Sequence, residues 1–338
     1  VPRKPSPDVT MADVARVAGV SIATVSNALN SAGRMSQSTR DTVRRVAREL
    51  GYLPGKTHTR TLGLAVTTDH PASWGFAEIP YFSQAIQTAT VVAHEHGYGL
   101  VVQPTAVGLE RWAVLAVDGM LLIDSPKGDR VRADLLMRGV PVVHIGRPAS
   151  PQPHDIWVDN DVEGAVRGVL DHLSEAGARR VALLGGDTTD SYIQACMTTY
   201  RQWCAERGEP ALLELMRRKN PAPAVARLLS RDDPPDAIFG PYDRCGHAVL
   251  SAAPGHGLRI PEDLLVACAS ESSAYETTTP PVTTLSLDPV GATRIATELL
   301  IQLVEGETPA VSGGVVHHTR LLVRTSTLRH PSTASLIG

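Results

Sequence analysis

Apolar positions along the 338-residue chain follow two different rhythms. Up to residue 52 they recur every three or four positions, the spacing of helices with one buried face. Thr10 and Asp13 form a capping-box pattern ahead of Val14, Ala15, Val17 and Ala18, which predicts a first helix over 10–17 with those four buried. Gly19 permits a tight turn. Ser21 caps a second helix that turns Val25, Ala28 and Leu29 inward. Ser36 opens a third, "SQSTRDTVRRVARELGY", in which Val43, Val46, Ala47 and Leu50 keep helical spacing and Gly51 is the stop. The prediction is three short helices around one small core.

From Thr61 the rhythm changes. Apolar runs of four to six residues ("LGLAV", "GLVVQ", "GMLLI", "VPVVHI", "DIWV", "RVALLGG", "DAIFG", "LLVACA") alternate with amphipathic stretches at 82–96, 130–138, 161–176 and 192–207. Runs apolar on both faces are the mark of parallel strands covered by helices. The series predicts an open α/β architecture, and its length favours two sheets over one. Neither an internal repeat nor a low-complexity tract interrupts it.

Charge adds a division of labour. Residues 1–60 hold ten Lys/Arg against four Asp/Glu, a formal +6, which leaves −9 for the remainder of a chain of net charge −3. A small basic head on an acidic body suits a polyanionic partner. The four cysteines (Cys196, Cys204, Cys245, Cys268) form neither a CxxC pair nor a disulfide framework, which predicts reduced buried thiols and a cytoplasmic location. Apolar runs stay short of a membrane span, so no membrane partner is expected. The opening "VPRKPSPDV" has no apolar signal core and reads as a basic arm.

Helix, tight turn and second helix over 10–30 supply what a helix-turn-helix reader of duplex DNA needs. Ser21, Thr24 and Ser26 can hold phosphates, as can the N-terminal amides of the second and third helices. Ile22, Ala23 and Asn27 would face base edges; Asn suits adenine, and Ile or Ala a thymine methyl. Arg34, Ser36, Thr39 and Arg40 would flank the backbone, with Thr10 and Asn30 completing the DNA-facing set. A plain three-helix bundle with ordinary caps is the alternative that composition leaves open.

"VTMADVARVAGVSIATVSNALN", followed by "MSQSTRDTVRRVARELGYLP", resembles the headpiece of lactose-repressor (LacI/GalR) family transcriptional regulators. "VDGMLLID", "GVPVVHIGR", "VDNDVEGA", "ARRVALLGG", "DAIFGPYD", "GLRIPEDLLV", "PPVTTLSLDPVG" and "LLVRTST" extend the resemblance, in order, to residue 327. It implies an all-α helix-turn-helix headpiece (1–53) and a linker (54–60). An α/β periplasmic-binding-protein-like effector domain (61–330) follows, then a tail (331–338). The effector domain would have two parallel-sheet subdomains, 61–158 with 289–318 and 159–288 with 319–330. The implied activity is repression by a homodimer on a palindromic operator, modulated by a small-molecule effector in the inter-subdomain cleft, with no cofactor and no enzymatic step.

Two departures from the family matter. Its linker forms a hinge helix that drives a Leu pair into the minor groove. Here "GKTHTR" after Pro54 is shorter, lacks Leu, and has Gly55 where Asn is usual, so weak DNA bending is expected. In the effector site, Tyr81 and Phe82 of "IPYFSQAI" match a ligand-packing position. The family's ligand-clamping Arg, however, aligns with Gln194 or Cys196. Its Asp in Gly-Phe-Asp-Asp aligns with Ser270, followed by Glu271. Tyr242 replaces the Asn before Asp243, and Gly146 replaces an acid. Loss of paired charges argues against an ordinary sugar. The expected ligand is less polar, or control passes through a partner or abundance without a small molecule. Segments near 104–112 and 208–220 are short as well.

Other constellations carry less. "LLGGD" lacks the GxGxxG of a dinucleotide site. His94 and His96 face different sides of a helix, and His317-His318 alternate along a strand. Asp243, Cys245 and His247 in "GPYDRCGHA" lie close, but a nucleophile needs an oriented Cys–His pair. Trp74, Trp112, Trp157 and Trp203 read as core or interface residues, with Trp74 or Trp112 as pocket candidates. A solute-binding protein would lack the helix-turn-helix, and an enzyme would need convergent acid, base or nucleophile.

Overall fold

The computed structural model describes residues 10–29, 35–50, 59–67, 78–104, 116–187, 191–217, 220–311 and 313–329. Contacts divide the chain into two compact units, Val1–Thr59 and Arg60–Gly338. The arm before Thr10, Asn30, Arg34, the linker through residue 58, Trp74, Trp112 and the tail lie outside the described residues.

The first unit is three helices, α1 (Met11–Ala18), α2 (Ile22–Leu29) and α3 (Gln37–Glu49). Val14, Ala15, Val25, Ala28, Val43, Val46 and Ala47 make its core, edged by Met11, Ala18, Val20, Met35 and Leu50. Val17 corrects the predicted stripe: it is 50% exposed. Positions 11, 14, 15 and 18 share one helical face, and at 100° per residue position 17 falls outside it. Gly19 turns the chain in the left-handed region at φ 68°, a conformation that favours glycine.

The second unit contains two six-stranded sheets. The first is built from β1 (Thr61–Val66), β2 (Gly99–Pro104), β3 (Gly119–Ile123), β4 (Val142–Ile145), β5 (Ile156–Asn160) and a late strand, β11 (Gly314–His317). Its order is β11-β5-β4-β3-β1-β2, with every pairing parallel. Helix α4 (Pro80–Glu95) follows β1, and α5 (Arg130–Met137) follows β3. The second sheet joins β6 (Val181–Gly186), β7 (Leu212–Met216), β8 (Ala237–Gly240), β9 (Leu265–Ala269), β10 (Thr283–Ser286) and β12 (Arg320–Leu322) in the order β12-β10-β9-β8-β6-β7. Only β12, against β10, runs antiparallel among these described pairings. Its helices are α6 (Val162–Glu175), α7 (Ser191–Arg207), α8 (Ala222–Leu229) and α9 (Asp243–Ala252).

Helix α10 (Pro289–Val304) leaves β10 and returns to the first sheet, where Ala292, Ala296, Leu300 and Val304 join Ala85, Ala89 and Val92 of α4 in one core. The chain therefore crosses between sheets three times: after Asn160, between Ser286 and Pro289, and between His317 and Arg320. The eight apolar runs all form strands. Strands β7, β10, β11 and β12 escaped the apolar pattern. In β10, Thr283, Thr284 and Ser286 are polar yet buried, because partners satisfy them. Thr283 N donates to Ser326 Oγ at 2.8 Å, Arg324 N donates to Thr283 Oγ1 at 2.8 Å, and Arg324 Nη1 donates to Thr284 Oγ1 at 2.7 Å. The four cysteines are free and buried. Trp203 lies in the second core, and Trp157 is half-buried.

A polar knot sits inside the first subdomain. His144 Nδ1 pairs with Ser125 Oγ at 2.9 Å, and its Nε2 lies 3.9 Å from Asp155, which receives both hydrogen bonds of Arg132 Nη2 at 2.7 and 2.6 Å. Burial outweighs the attraction of Asp155 and holds the His144 pKa down at about 4, against an ordinary 6.5. His144 is therefore neutral in the fold, while the unfolded chain takes up its proton first. Its contribution is complete above pH 6.5 and is lost as pH falls toward 4. Urea unfolding at pH 7 and pH 5 should show wild type losing about 2 kcal/mol more than His144→Gln over that interval. Equal losses in the two proteins would mean that this imidazole is already charged when folded.

Candidate nucleic-acid interface and inter-subdomain cleft

The first unit orients α2 through its own side chains. Ser21 Oγ accepts the Thr24 amide at 3.1 Å and pairs with Thr24 Oγ1 at 2.8 Å, so the hydroxyl pair caps the helix at its exposed start. The turn before it is closed by Val20 N donating to Ala15 O at 3.0 Å. Upstream, Thr10 Oγ1 donates to Asp13 Oδ2 at 2.7 Å while the Asp13 amide donates back to Thr10 Oγ1 at 3.3 Å. The Thr10 hydrogen bonds, with Arg16 beside them, hold the Asp13 carboxyl down at about 2. Ser36 repeats the device on α3, taking the Thr39 amide at 3.1 Å and pairing with Thr39 Oγ1 at 2.7 Å.

Val25 and Ala28 point into the core, which leaves Ile22, Ala23 and Asn27 exposed on the outer arc, with Ile22 at 53%. Thr24 and Ser26 border that arc half-buried, Ser21 and Ser36 are exposed at helix starts, and Thr39 and Arg40 are half-buried on α3. The structure thus groups Ser21, Ile22, Ala23, Thr24, Ser26 and Asn27 on one short helix. Thr10 stands apart at the start of α1, with its hydroxyl committed to the cap.

In the second unit, the effector candidates lie on segments that follow parallel strands, Tyr81 and Phe82 after β1, Gln194 and Cys196 after β6, Tyr242 and Asp243 after β8, and Ser270 and Glu271 after β9, the ends where open α/β folds place ligands. Tyr81 and Phe82, in the first turn of α4, stack edge to face with ring centroids 5.3 Å apart. Across the crossovers, Tyr242 precedes α9 and Asp243 begins it. Asp243 Oδ1 accepts a short hydrogen bond from the Ser270 hydroxyl, which in turn takes the Ser272 amide at 2.9 Å. Ser270 therefore stands as partner to Asp243.

Two candidates behave differently from expectation. Cys196 is fully buried among Ile193, Met197 and Tyr200 in the second core, so it offers no surface to a cleft. Gln194, outside that helical face, is the exposed member of the pair. Glu271 spends its carboxylate inside the protein, accepting from Ser286 Oγ at 2.8 Å and from the Leu287 amide at 2.7 Å; burial pushes its pKa up.

Several residues near the crossovers were missed by sequence reasoning. Gln84 Nε2 donates to the Glu271 carbonyl at 3.2 Å, linking the subdomains. Asn160 Nδ2 donates to Leu287 O at 3.0 Å and His317 O at 3.2 Å. His317 Nε2 pairs with Asp288 Oδ2 at 2.8 Å. Burial raises the Asp159 carboxyl, and the neighbouring Arg147 guanidinium lies over the Trp157 ring at 5.7 Å. "WVDND" and "LSLDP" showed polar residues at strand ends, yet nothing in their spacing said that they meet.

Cys245 closes the nucleophile question: it is buried and its thiol is pushed up to about 12 by desolvation, far from the thiolate a nucleophile needs. Among the described residues no group of three or more His, Cys, Asp or Glu could hold a metal ion, and no helix is long and apolar enough to cross a membrane.

Comparison with known proteins gives two family matches. Residues 10–55 match "Bacterial regulatory proteins, lacI family", and residues 170–327 match the periplasmic binding protein-like domain. The HTH-type transcriptional regulator CelR of Thermobifida fusca is 30% identical over 94% of this chain and 98% of its own. The HTH-type transcriptional repressor CytR of Escherichia coli K12 is 28% identical over 95% of this chain and 97% of its own. Among solved structures, a complex of the transcriptional regulator CelR with cellobiose superposes with a TM-score of 0.72 at 29% identity, covering 94% of this chain and 99% of that one.

The cap geometry predicts that Ser21→Ala costs the first unit about 1 kcal/mol. Hydrogen exchange of the full chain should show the Thr24 amide exchanging about fivefold faster, with α4 and α7 unchanged. An unaltered Thr24 rate would remove Ser21 from the cap.

Proposed function

We propose, from the premise that this chain belongs to the lacI family of bacterial regulatory proteins, that it is a cytoplasmic homodimeric repressor occupying a palindromic operator. The family is one of DNA-binding transcriptional regulators and not of enzymes. The observation that carries the DNA assignment is the exposed Ile22–Ala23–Asn27 arc on a helix that core and cap hold in place, within residues of formal charge +6.

In this reading residues 1–53 are the headpiece, 54–60 the linker, and 61–330 the dimerising effector domain. Its subdomains are 61–158 with 289–318 and 159–288 with 319–330, and 331–338 is a tail. Ile22, Ala23 and Asn27 read base edges in the major groove. Thr10, Ser21, Thr24, Ser26, Asn30, Arg34, Ser36, Thr39 and Arg40 hold the phosphates or flank them. The Leu-free linker drives no wedge between base pairs, so the operator bends little.

The effector is a small molecule held in the cleft between Tyr81 and Phe82 on one side and Gln194, Tyr242, Asp243 and Ser270 on the other. An aromatic pair on one subdomain and, on the other, an acid with one hydroxyl partner suit a ligand with an apolar or stackable face and a few donors. CelR binds cellobiose in its solved complex, and the replacement of paired charges here by Gln194 and Ser270 points to a less polar ligand. Binding shifts the population between two subdomain arrangements, and with it the spacing of the two headpieces.

Asn27→Ala should relax base preference at one operator position by about 1–3 kcal/mol, while Arg34→Ala should weaken all duplexes alike and lower the salt slope by about one. Fluorescence anisotropy at several salt concentrations separates the two, and equal effects from both would refute the assigned roles. For the cleft, Asp243→Asn should weaken whichever metabolite raises the melting temperature of the full chain by about tenfold in Kd. An unchanged Kd would place the ligand elsewhere.

A further inference from the structure

We propose that the consecutive pair Ser270–Glu271 couples the cleft to the angle between the subdomains, with Glu271 a positioning residue and not a ligand clamp. The use of this coupling rests on the regulatory reading above; its geometry rests on hydrogen bonds alone. The two residues, at the end of β9, hold in three directions. The Ser270 hydroxyl donates to Asp243 at the start of α9, on the cleft side. The Glu271 carbonyl is gripped by Gln84 Nε2 at 3.2 Å, from α4 of the other subdomain. The Glu271 carboxylate takes Ser286 Oγ at 2.8 Å on one oxygen and the Leu287 amide at 2.7 Å on the other.

That last anchor is the place where the three crossovers meet. Leu287 offers its carbonyl to Asn160 of the first crossover, and the same Asn160 amide reaches the His317 carbonyl of the third. Asp288, next in the chain, pairs with His317 and caps α10 by accepting the Gly291 amide at 3.2 Å. Rotation of one sheet against the other must pass through backbone torsions at these crossovers. Glu271 is thus a rigid arm from the cleft floor to the axis of that rotation. Two hydrogen bonds, one on each carboxylate oxygen, fix the orientation of the Glu271 side chain. A ligand that draws Asp243 or Ser270 moves the Glu271 backbone, and the arm and the Gln84 grip cannot both follow without a change of angle. Packed elements answer such a demand by discrete steps. Both Glu271 oxygens are already engaged within the protein, which is the placement of an anchor.

The experiment is a spin-label distance measurement on the full chain, with Met137→Cys and Arg201→Cys as exposed label sites on the two subdomains and the native thiols buried. Glu271→Ala, Ser270→Ala and Gln84→Ala should each displace the distance distribution or broaden it about twofold. Glu271→Gln, which keeps the shape and an acceptor, should restore the parent distribution. Ser272→Ala, which loses only the Ser272 side-chain bond to the Ala274 amide, should also match the parent. Parent-like distributions in folded Ser270→Ala and Glu271→Ala overturn the proposal, as does lost stability with unchanged distances. Should Glu271→Ala fail to fold, the half-buried Gln84→Ala decides alone, a parent-like distribution then being the contrary result. Failure of the DNA reading would appear separately, as absence of sequence preference in the parent, and would leave these distances untouched.

Discussion

Three passages of chain run between the two sheets, and one side-chain amide ties them. Asn160 leaves the first sheet and donates at once to the carbonyls of Leu287 and His317, which belong to the other two passages. Everything in the larger unit depends on that constraint. Strand β11 reaches the first sheet only by returning through it, and α10, which completes the first core, is threaded from β10 of the second. Two separately packed cores are thus joined through these passages, with the Gln84–Glu271 hydrogen bond as a further link between them. A ligand-driven change of angle, as proposed above, would have to be accommodated at these passages.

The smaller unit solves a different problem. Its core is seven small side chains, four of them valine and three alanine, too little to hold an irregular shape. It relies on local chemistry: hydroxyl caps at Ser21 and Ser36, a reciprocal cap at Thr10 and Asp13, and a left-handed glycine at 19. The same hydroxyls that satisfy helix starts stand at the surface where phosphates would dock, so the features that fold the unit also shape its contact face.

How much of this was legible in the sequence follows from what hides a pattern. The eight apolar runs announced themselves, and in β3, β6, β8 and β9 every position is buried. Strand β10 did not, since Thr283 and Thr284 are held by hydrogen bonds to the Arg324–Thr327 segment and Ser286 by one to Glu271, not by hydrophobicity. The helix-turn-helix was legible down to its caps because those interactions are three residues long. The internal partners of Glu271 and the burial of Cys196 were hidden for the opposite reason. The positions of both residues in the motif were clear, but their partners are set by distant strands and core residues that spacing cannot reveal.

The central claim is that the capped second helix gives this chain a preference among duplex sequences, applied twice by two copies. Selection from a random duplex library by the full chain at fixed ionic strength tests it most directly. The account predicts enrichment of a single consensus with two-fold symmetry, its half-sites about one helical turn apart or closer. Recovery of the starting sequence distribution, with retention governed only by salt, would contradict it.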